Sequence, residues 1–393
     1  YINFESSDKF AAIFDYDFDV ERIVRELELL TQSKIEAGKT LLIFDEIQEA
    51  PRAITSLKYF CENKPELHLA CAGSLLGVAL KKENISFPVG KVNRVQMYPM
   101  NFREFLIACG HEKYIDLFSE WPIDKEIPEV YSEPLKRLLK EYYVVGGMPE
   151  VVNEYVTTRD LRTVGEIQDE IIADYADDFS KHAPVAEIEK IRMIWKSVPK
   201  QLAKENNKFV FSHVKEGKRA HELEAALQWL KNAGLVHLTE LVSNAEKPLS
   251  ANADATYFKV YFSDIGLLFR SMGLSYKSFL EDEEKDLTKK GALAENYVLL
   301  ELVCLKKTPY FWRSGNSAEI DFLVENDSGI VPIEVKAAAN TQAKSYRQFC
   351  KKYAPRRGYK LSLKNLAENM CEKTATVSLP LYLVWNMDRY NNN

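Results

Sequence analysis

The sequence has few cysteines, no long hydrophobic run and little net charge, and each absence argues against a class of protein. None of the six cysteines has Cys-x-x-Cys spacing, which argues against structural zinc and against a secreted disulfide framework. The longest apolar stretch, residues 69–80, is broken by Gly and Ser and is too short to span a bilayer. The net charge of −6 gives no overall sign of nucleic-acid binding. We expect a reduced, cytoplasmic protein with no membrane segment.

What is present is an ordinary globular composition in a chain long enough for several cores. The 393 residues are 46% hydrophobic and 28% charged, which predicts two or three domains. We place these domains at residues 1–121, 122–280 and 285–393. The last boundary follows the acidic run Glu281–Glu284, which is typical of a solvated linker.

The first segment is organised around Leu41–Phe44, an apolar run that leads directly into the two carboxylates Asp45 and Glu46. The pattern predicts a strand buried on both faces, with Asp45 and Glu46 at its carboxyl end, where open α/β sheets bind ligands. Strands at Tyr1–Phe4 and Leu67–Ala72, and helices at residues 19–34 and 53–61, complete a β-α-β-α-β alternation. This order predicts a parallel sheet with crossover helices. The alternative is a core strand that ends in two solvated acids.

A phosphate-binding loop of the form Gly-x4-Gly-Lys-Ser/Thr does not occur in the sequence. Gly38-Lys39-Thr40 ends like one, but Ser33 stands where the first glycine is needed. A strand follows this segment, whereas a phosphate loop must open a helix.

The ordered motifs resemble those of the prokaryotic AAA-type P-loop ATPases. The resemblance rests on the Leu41–Glu46 strand and on four later elements: Gly73–Gly77, Phe87–Lys91, Tyr98–Phe105 and Gly146–Pro149. It implies ATP and Mg²⁺ as ligands, and it implies that a Gly-Gly-x-Pro element marks the passage out of the ATPase core. In this family the phosphate loop precedes a strand like Tyr1–Phe4. We therefore expect the loop upstream of residue 1, and we expect the polypeptide as written to bind ATP poorly.

The resemblance also implies roles for four residues. Asp45 would hold Mg²⁺, Glu46 would polarise the attacking water, and Ser74 would sense the γ-phosphate. Arg94 is a candidate arginine finger acting on a neighbouring subunit of a homo-oligomer. The alternative for Arg94 is a solvated surface charge.

The middle segment is predicted to be helical and similar to a winged helix. Helices are expected at residues 135–143, 187–205 and 219–232, with strands at residues 235–242 and from Tyr257 onward. Residues 180–220 contain ten Lys/Arg and four Asp/Glu, so this stretch is basic within an acidic protein. It is a candidate DNA-binding surface. The alternative is a solvated lysine face.

The last segment resembles a PD-(D/E)XK nuclease core, which implies an α/β restriction-endonuclease-like fold. Asp321 lies on one predicted strand, Glu334-x-Lys336 lies on the next, and Glu295 lies on a helix before them. The resemblance implies that Asp321 and Glu334 bind Mg²⁺ and that Lys336 orients or activates a water, with Glu295 as a further acid. The alternatives are an ion pair on a sheet and a solvated edge acid.

The sequence therefore predicts an AAA-type ATPase that couples ATP binding or hydrolysis to nucleic-acid binding or regulation. Two other functions stay open: a Mg²⁺-dependent nuclease acting through the last segment, and a DNA-binding regulator without catalytic activity.

Overall fold

The computed structural model describes residues 1–73, 88–204, 208–215, 220–281, 287–315, 318–337 and 344–391. The chain forms two compact units. The first contains residues 1–97 with residues 232–234, and the second contains residues 98–231 and 235–393. None of the described helices is both long enough and apolar enough to cross a membrane.

The first unit is built on a parallel sheet, as the sequence predicts. Its strands pair in the order β1-β2-β3 and are β1 Ile2–Asn3, β2 Leu41–Asp45 and β3 His68–Cys71. Its helices are α1 Asp8–Ala12, α2 Val20–Thr31 and α3 Pro51–Asn63, with a 3-10 turn at Ile47–Glu49. The Asp19 carboxylate caps α2, and Pro51 opens α3. Both helix starts therefore follow from local sequence.

The core of the first unit lies on one face of this sheet. Phe44 packs edge-to-face against Phe4 and Phe14, with ring centroids 5.4 and 5.7 Å away. The opposite face carries Leu41, whose side chain is 56% exposed, and the partly exposed Ile43. The prediction that this strand is buried on both faces is therefore wrong for the described residues.

The second unit contains the remaining helices and strands. Its helices are α4 Phe102–Ala108, α5 Glu112–Ser119, α6 Glu129–Val145, α7 Pro149–Thr158, α8 Leu161–His182, α9 Ile188–Leu202, α10 Ala220–Asn232, α11 Ile265–Ser271, α12 Tyr276–Glu281, α13 Leu287–Cys304 and α14 Lys344–Tyr353. Its strands are β4 Val236–Val242, β5 Ala253–Phe262, β6 Tyr310–Ser314, β7 Ala318–Asn326, β8 Gly329–Val335, β9 Arg357–Ser362, β10 Ala367–Cys371 and β11 Thr374–Pro380. Its 3-10 segments are Phe211–His213, Leu249–Asn252 and Leu381–Asn391.

These strands form one eight-stranded mixed sheet in the order β10-β11-β9-β8-β7-β6-β4-β5. Strands β7 and β8 form the predicted hairpin, and β8 pairs in parallel with β9. The hairpin of β4 and β5 joins the sheet through two parallel pairs, Leu241 with Phe311 and Val242 with Trp312. The sequence assigns β4 and β5 to the middle segment, whereas this pairing places them in the same sheet as the strands of the last segment. The winged-helix and nuclease-like assignments stay predictions.

The Gly146–Pro149 element owes its glycines to close packing. A Cβ atom on Gly147 would lie 2.0 Å from the Met100 carbonyl oxygen. The Met100 N–H also donates to the Gly147 carbonyl, with 2.7 Å between N and O. Gly146 has φ +80°, which suits glycine. The Gly-Gly motif is therefore required where two backbone segments touch.

Candidate functional sites

The acid pair of the first unit lies at the carboxyl end of β2. Asp45 is paired in register with Asn3 of β1, and Gly73 follows β3 at the same edge. Glu46 adopts a left-handed conformation (φ 51°) and precedes the 3-10 turn, where its carboxylate accepts a hydrogen bond from Gln48 Nε2. The strand therefore ends at Asp45, and the chain continues into a 3-10 turn. Both half-buried carboxylates thus stand at the sheet edge where ligands bind in open α/β sheets.

Asp45 is a chemically suitable Mg²⁺ ligand. Its carboxylate accepts a hydrogen bond from the Tyr1 hydroxyl, and this bond raises the pKa of Tyr1. Among the described residues, none of the ion pairs includes Asp45. Mg²⁺ prefers such hard, anionic oxygen ligands.

The Gly38-Lys39-Thr40 segment lies at the opposite, amino end of β2. The Lys39 ammonium pairs with Glu36 at 2.9 Å, and the Thr40 hydroxyl accepts a hydrogen bond from the Glu36 N–H at 3.0 Å. Asp45 is the last residue of the five-residue strand that follows this segment, so the two lie roughly 15 Å apart. The segment is therefore a turn that precedes a strand, as its sequence context indicates.

Two other predicted residues of this site stay untested. Ser74 lies outside the described residues, so its sensor role stays a prediction. Arg94 is exposed in a segment without regular secondary structure, and its finger role is also untested.

In the second unit, the structure brings together all four residues predicted for the nuclease-like site. Glu295 comes from α13, Asp321 from β7 and Glu334 from β8, and Lys336 follows β8. The Val335 N–H donates to Asp321 Oδ2 at 2.7 Å, and Lys336 Nζ pairs with Glu334 Oε1 at 2.8 Å. The β7–β8 hairpin thus places the two polar rows side by side.

Three more residues belong to this cluster. Lys259 of β5 pairs with both Glu295 and Glu319, each at 2.8 Å, and Tyr261 donates to Glu295. Lys259 is 7% exposed. We name Lys259, Tyr261, Glu295, Glu319, Asp321, Glu334 and Lys336 the buried acidic cluster. The sequence predicts a strand from Tyr257 onward but no site residue on it, although Lys259 and Tyr261 alternate there with Phe258, Val260 and Phe262. That alternation was the available signal of a polar face.

Charge compensation differs among the acids of the cluster. Burial opposes the ionisation of Glu295, but the Lys259 ammonium outweighs it and lowers the pKa of Glu295. Burial and the neighbouring Glu334 raise the pKa of Asp321 well above its usual range. Burial also raises the pKa of Glu334, although Lys336 opposes this shift. Burial opposes protonation of Lys259, but the adjacent carboxylates raise its pKa well above the ordinary value. The cluster therefore holds a permanent internal cation.

The buried acidic cluster does not fit the metal that the nuclease resemblance implies. Among the described residues, no three His, Cys, Asp or Glu side chains are arranged to hold a metal ion. In the cluster, Lys259 and Lys336 pair with three of the four acids, and a backbone N–H occupies an oxygen of the fourth, Asp321. This arrangement argues against the metal-binding prediction for Asp321 and Glu334, because Lys336 already pairs with Glu334 and a backbone N–H already occupies one oxygen of Asp321.

Comparison with known proteins divides the chain into three matched segments. Residues 1–106 match the family model described as an AAA domain. Residues 136–278 and 290–382 match two different domains of unknown function, DUF8612 and DUF4143. The N-terminal segment is therefore similar to AAA domains, and it is followed by two segments that match families of unknown function.

A search of curated proteins found none that matches this sequence. Among solved structures, the chain is similar to the Walker-type ATPase paby2304 of Pyrococcus abyssi, with 14% identity and a TM-score of 0.36. That similarity covers 65% of this chain and 67% of the other.

Proposed function

We propose that the AAA-type domain binds ATP with Mg²⁺ and hydrolyses it at the edge formed by the carboxyl ends of β1, β2 and β3. The observation that carries this proposal is the position of Asp45 and Glu46 at the end of the central parallel strand. The AAA-domain match over residues 1–106 supports the same reading. Mg²⁺, when bound, would neutralise charge that develops on the phosphates.

The two acids have different roles in this proposal. Asp45 holds the cation, directly or through water. Glu46 accepts a hydrogen bond from the attacking water and orients it toward the γ-phosphate. Gln48, which donates to Glu46, fixes the orientation of that carboxylate. Ser74 as γ-phosphate sensor and Arg94 as a residue acting on a neighbouring subunit are further parts of the same proposal.

The test compares ATP turnover by the full-length protein, including any residues that precede Tyr1, with turnover by Glu46→Gln. We expect the substitution to slow hydrolysis by about 10²-fold or more while ATP binding persists, because the amide cannot act as a base. Glu49→Gln is the matched control, since Glu49 is an exposed acid in the same 3-10 turn. Equal turnover by the wild type and Glu46→Gln would remove Glu46 from the mechanism.

We further propose that the second unit couples this activity to nucleic-acid binding or regulation. The surface that supports this is α14, whose buried face carries Tyr346, Phe349 and Cys350. Its exposed side carries Lys344, Arg347, Lys351 and Lys352. Arg347 is already paired with Glu372 at 2.9 Å, so the three lysines are the main candidates for phosphate contacts.

DNA binding by the full-length protein, measured over a series of salt concentrations, tests this coupling. Replacement of the three α14 lysines by glutamine is expected to weaken binding and to reduce the slope of log affinity against log salt by about 3. Affinity that does not depend on salt would refute a phosphate-tracking surface. A DNA-binding regulator without catalysis is the alternative, and it predicts binding with no ATP turnover.

A Mg²⁺-dependent nuclease acting through Glu295, Asp321, Glu334 and Lys336 is the other alternative. It predicts DNA cleavage with Mg²⁺ or Mn²⁺ that is lost in Lys336→Ala. The lysine pairs in the buried acidic cluster weigh against it, because Lys336 already pairs with Glu334 and Lys259 already pairs with Glu295.

A further inference from the structure

The buried acidic cluster contains a cation supplied by a distant part of the chain. Lys259 Nζ lies 2.8 Å from Glu295 Oε1 and 2.8 Å from Glu319 Oε1, so one ammonium bridges a helix and a strand. The same nitrogen stands 5.1 Å from the ring centroid of Phe311, within reach of a cation–π contact. The ammonium is therefore stabilised by two carboxylates and by one aromatic ring.

We propose that Lys259 takes the place of a divalent cation in this cluster and excludes Mg²⁺ and Mn²⁺ from it. A divalent ion needs carboxylate oxygens at about 2.0–2.2 Å, whereas the oxygens of Glu295 and Glu319 converge on a nitrogen. A second cation beside a buried ammonium would also be repelled in a medium of low polarity. Lys259 thus offsets part of the negative charge of the cluster from within.

The acids retain binding capacity that Lys259 does not use. Glu334 is 4% exposed, and its Oε2 atom has no hydrogen-bond partner within the described parts of the chain. Glu319 Oε2 is likewise buried without a described partner. Two buried carboxylate oxygens beside an internal cation are groups that a metal could use if the ammonium were removed. Lys259 is therefore the residue that determines whether this cluster accepts a metal.

The position of Lys259 in the fold also explains how this exclusion arises. Lys259 and Tyr261 both belong to β5, and the β4–β5 hairpin joins the sheet of the last segment by only two residue pairs. The acids come from α13, β7 and β8, which lie later in the chain. The neutralising cation is thus contributed by the segment before the acids and not by the acid-bearing elements themselves.

The test measures Mn²⁺ binding by electron paramagnetic resonance in the whole chain without nucleotide. All proteins carry Asp45→Asn, so that the acid pair of the first unit cannot contribute. We expect Lys259→Met to bind one Mn²⁺ about tenfold or more tightly than the parent, because the methionine has similar length but no charge. Adding Glu334→Gln to Lys259→Met should abolish that gain. Lys351→Met, on the exposed side of α14, is the matched control and should leave Mn²⁺ binding unchanged.

Tight Mn²⁺ binding by the parent, or a folded Lys259→Met protein that gains none, would overturn the proposal. Where Lys259→Met unfolds, its thermal unfolding is measured with and without Mn²⁺. If Mn²⁺ restores folding of Lys259→Met and has no effect on the parent, the result supports the proposal that the Lys259 ammonium takes the place of a divalent cation. Failure of Mn²⁺ to restore folding contradicts it.

Discussion

The buried carboxylate of Asp264 accepts a hydrogen bond from the Gly147 N–H, with 2.7 Å between N and Oδ2. Its other oxygen accepts from the Leu267 N–H at 2.8 Å and so caps α11. Gly147 also pairs with Met100, which precedes α4. Asp264 and Gly147 therefore connect three segments of the second unit by hydrogen bonds: the residues before α4, the Gly146–Pro149 element and the start of α11.

Replacing Gly147 by alanine should destabilise the second unit by about 3 kcal/mol or more, because the new Cβ would lie 2.0 Å from the Met100 carbonyl oxygen. Gly291→Ala is the control. Gly291 lies within α13 with nothing within 4 Å of its added Cβ, so alanine there should stabilise by up to about 1 kcal/mol. Thermal unfolding followed by circular dichroism compares the two. Similar melting temperatures for both variants would contradict the packing argument.

The buried carboxyl group of Glu301 should make the free energy of unfolding fall as pH rises. It is 1% exposed, its Oε1 accepts from the Phe102 N–H at 2.8 Å, and burial raises its pKa from 4.5 to about 8. The folded state holds the proton more tightly than the unfolded state. The stabilisation is therefore complete below pH 4.5 and is lost as pH rises through 8, by on the order of 5 kcal/mol.

Glu301→Gln should flatten this dependence and should make the protein more stable than the wild type above pH 8, because the amide never ionises. Urea unfolding at a series of pH values between 5 and 9 measures the difference. Parallel pH profiles for the two proteins would show that Glu301 does not carry the effect.

The buried imidazole of His237 should make the free energy of unfolding fall as the pH is lowered. Burial lowers its pKa from 6.5 to about 4, so the folded protein favours the neutral imidazole. The stability from neutral His237 is present above pH 6.5 and is lost as pH falls through 4, by roughly 3 kcal/mol. Titration of the imidazole by NMR, with His237→Gln to assign its signal, tests this. A midpoint near 6.5 would contradict burial as the controlling influence.

Substitutions of Lys39 and Asp45 distinguish two hypotheses for the nucleotide site. In one, phosphate binds at the amino end of β2; in the other, Mg²⁺ binds at its carboxyl end. Lys39 pairs with Glu36 at the amino end of β2, so Lys39→Met should change ATP affinity by less than about twofold. Asp45→Asn at the carboxyl end should remove the Mg²⁺ dependence of binding. Titration with a fluorescent ATP analogue, with and without Mg²⁺, measures both effects. A large loss of affinity in Lys39→Met would mean that Gly38-Lys39-Thr40 contacts phosphate.

Much of the first unit could be predicted because its signals are local. The β-α-β-α-β alternation predicts the parallel order β1-β2-β3, and Asp19 and Pro51 mark the helix starts close to where they occur. The prediction failed for the second face of β2, where Leu41 is exposed. An apolar run indicates that both faces can be buried, but only the neighbouring elements decide whether they are.

The boundaries of the helices in the second unit were harder to place from sequence. The predicted helix at residues 135–143 is in fact α6, which begins at Glu129 and continues through Pro134. A proline ordinarily suggests a helix boundary, because it lacks the N–H that the helix requires. Packing of Leu135, Leu138 and Leu139 in the core offsets that cost here.

The order of amino acids alone places Asp45 and Glu46 at the end of a strand and Asp321 beside Glu334, because strand direction and a short hairpin follow from neighbouring residues. Tertiary structure alone brings Lys259 to Glu295 and Glu319, and it presses Gly147 against Met100. These contacts join segments far apart in the chain, and their geometry depends on how whole elements pack. The packing of β5 therefore decides that Lys259 pairs with acids of the last segment.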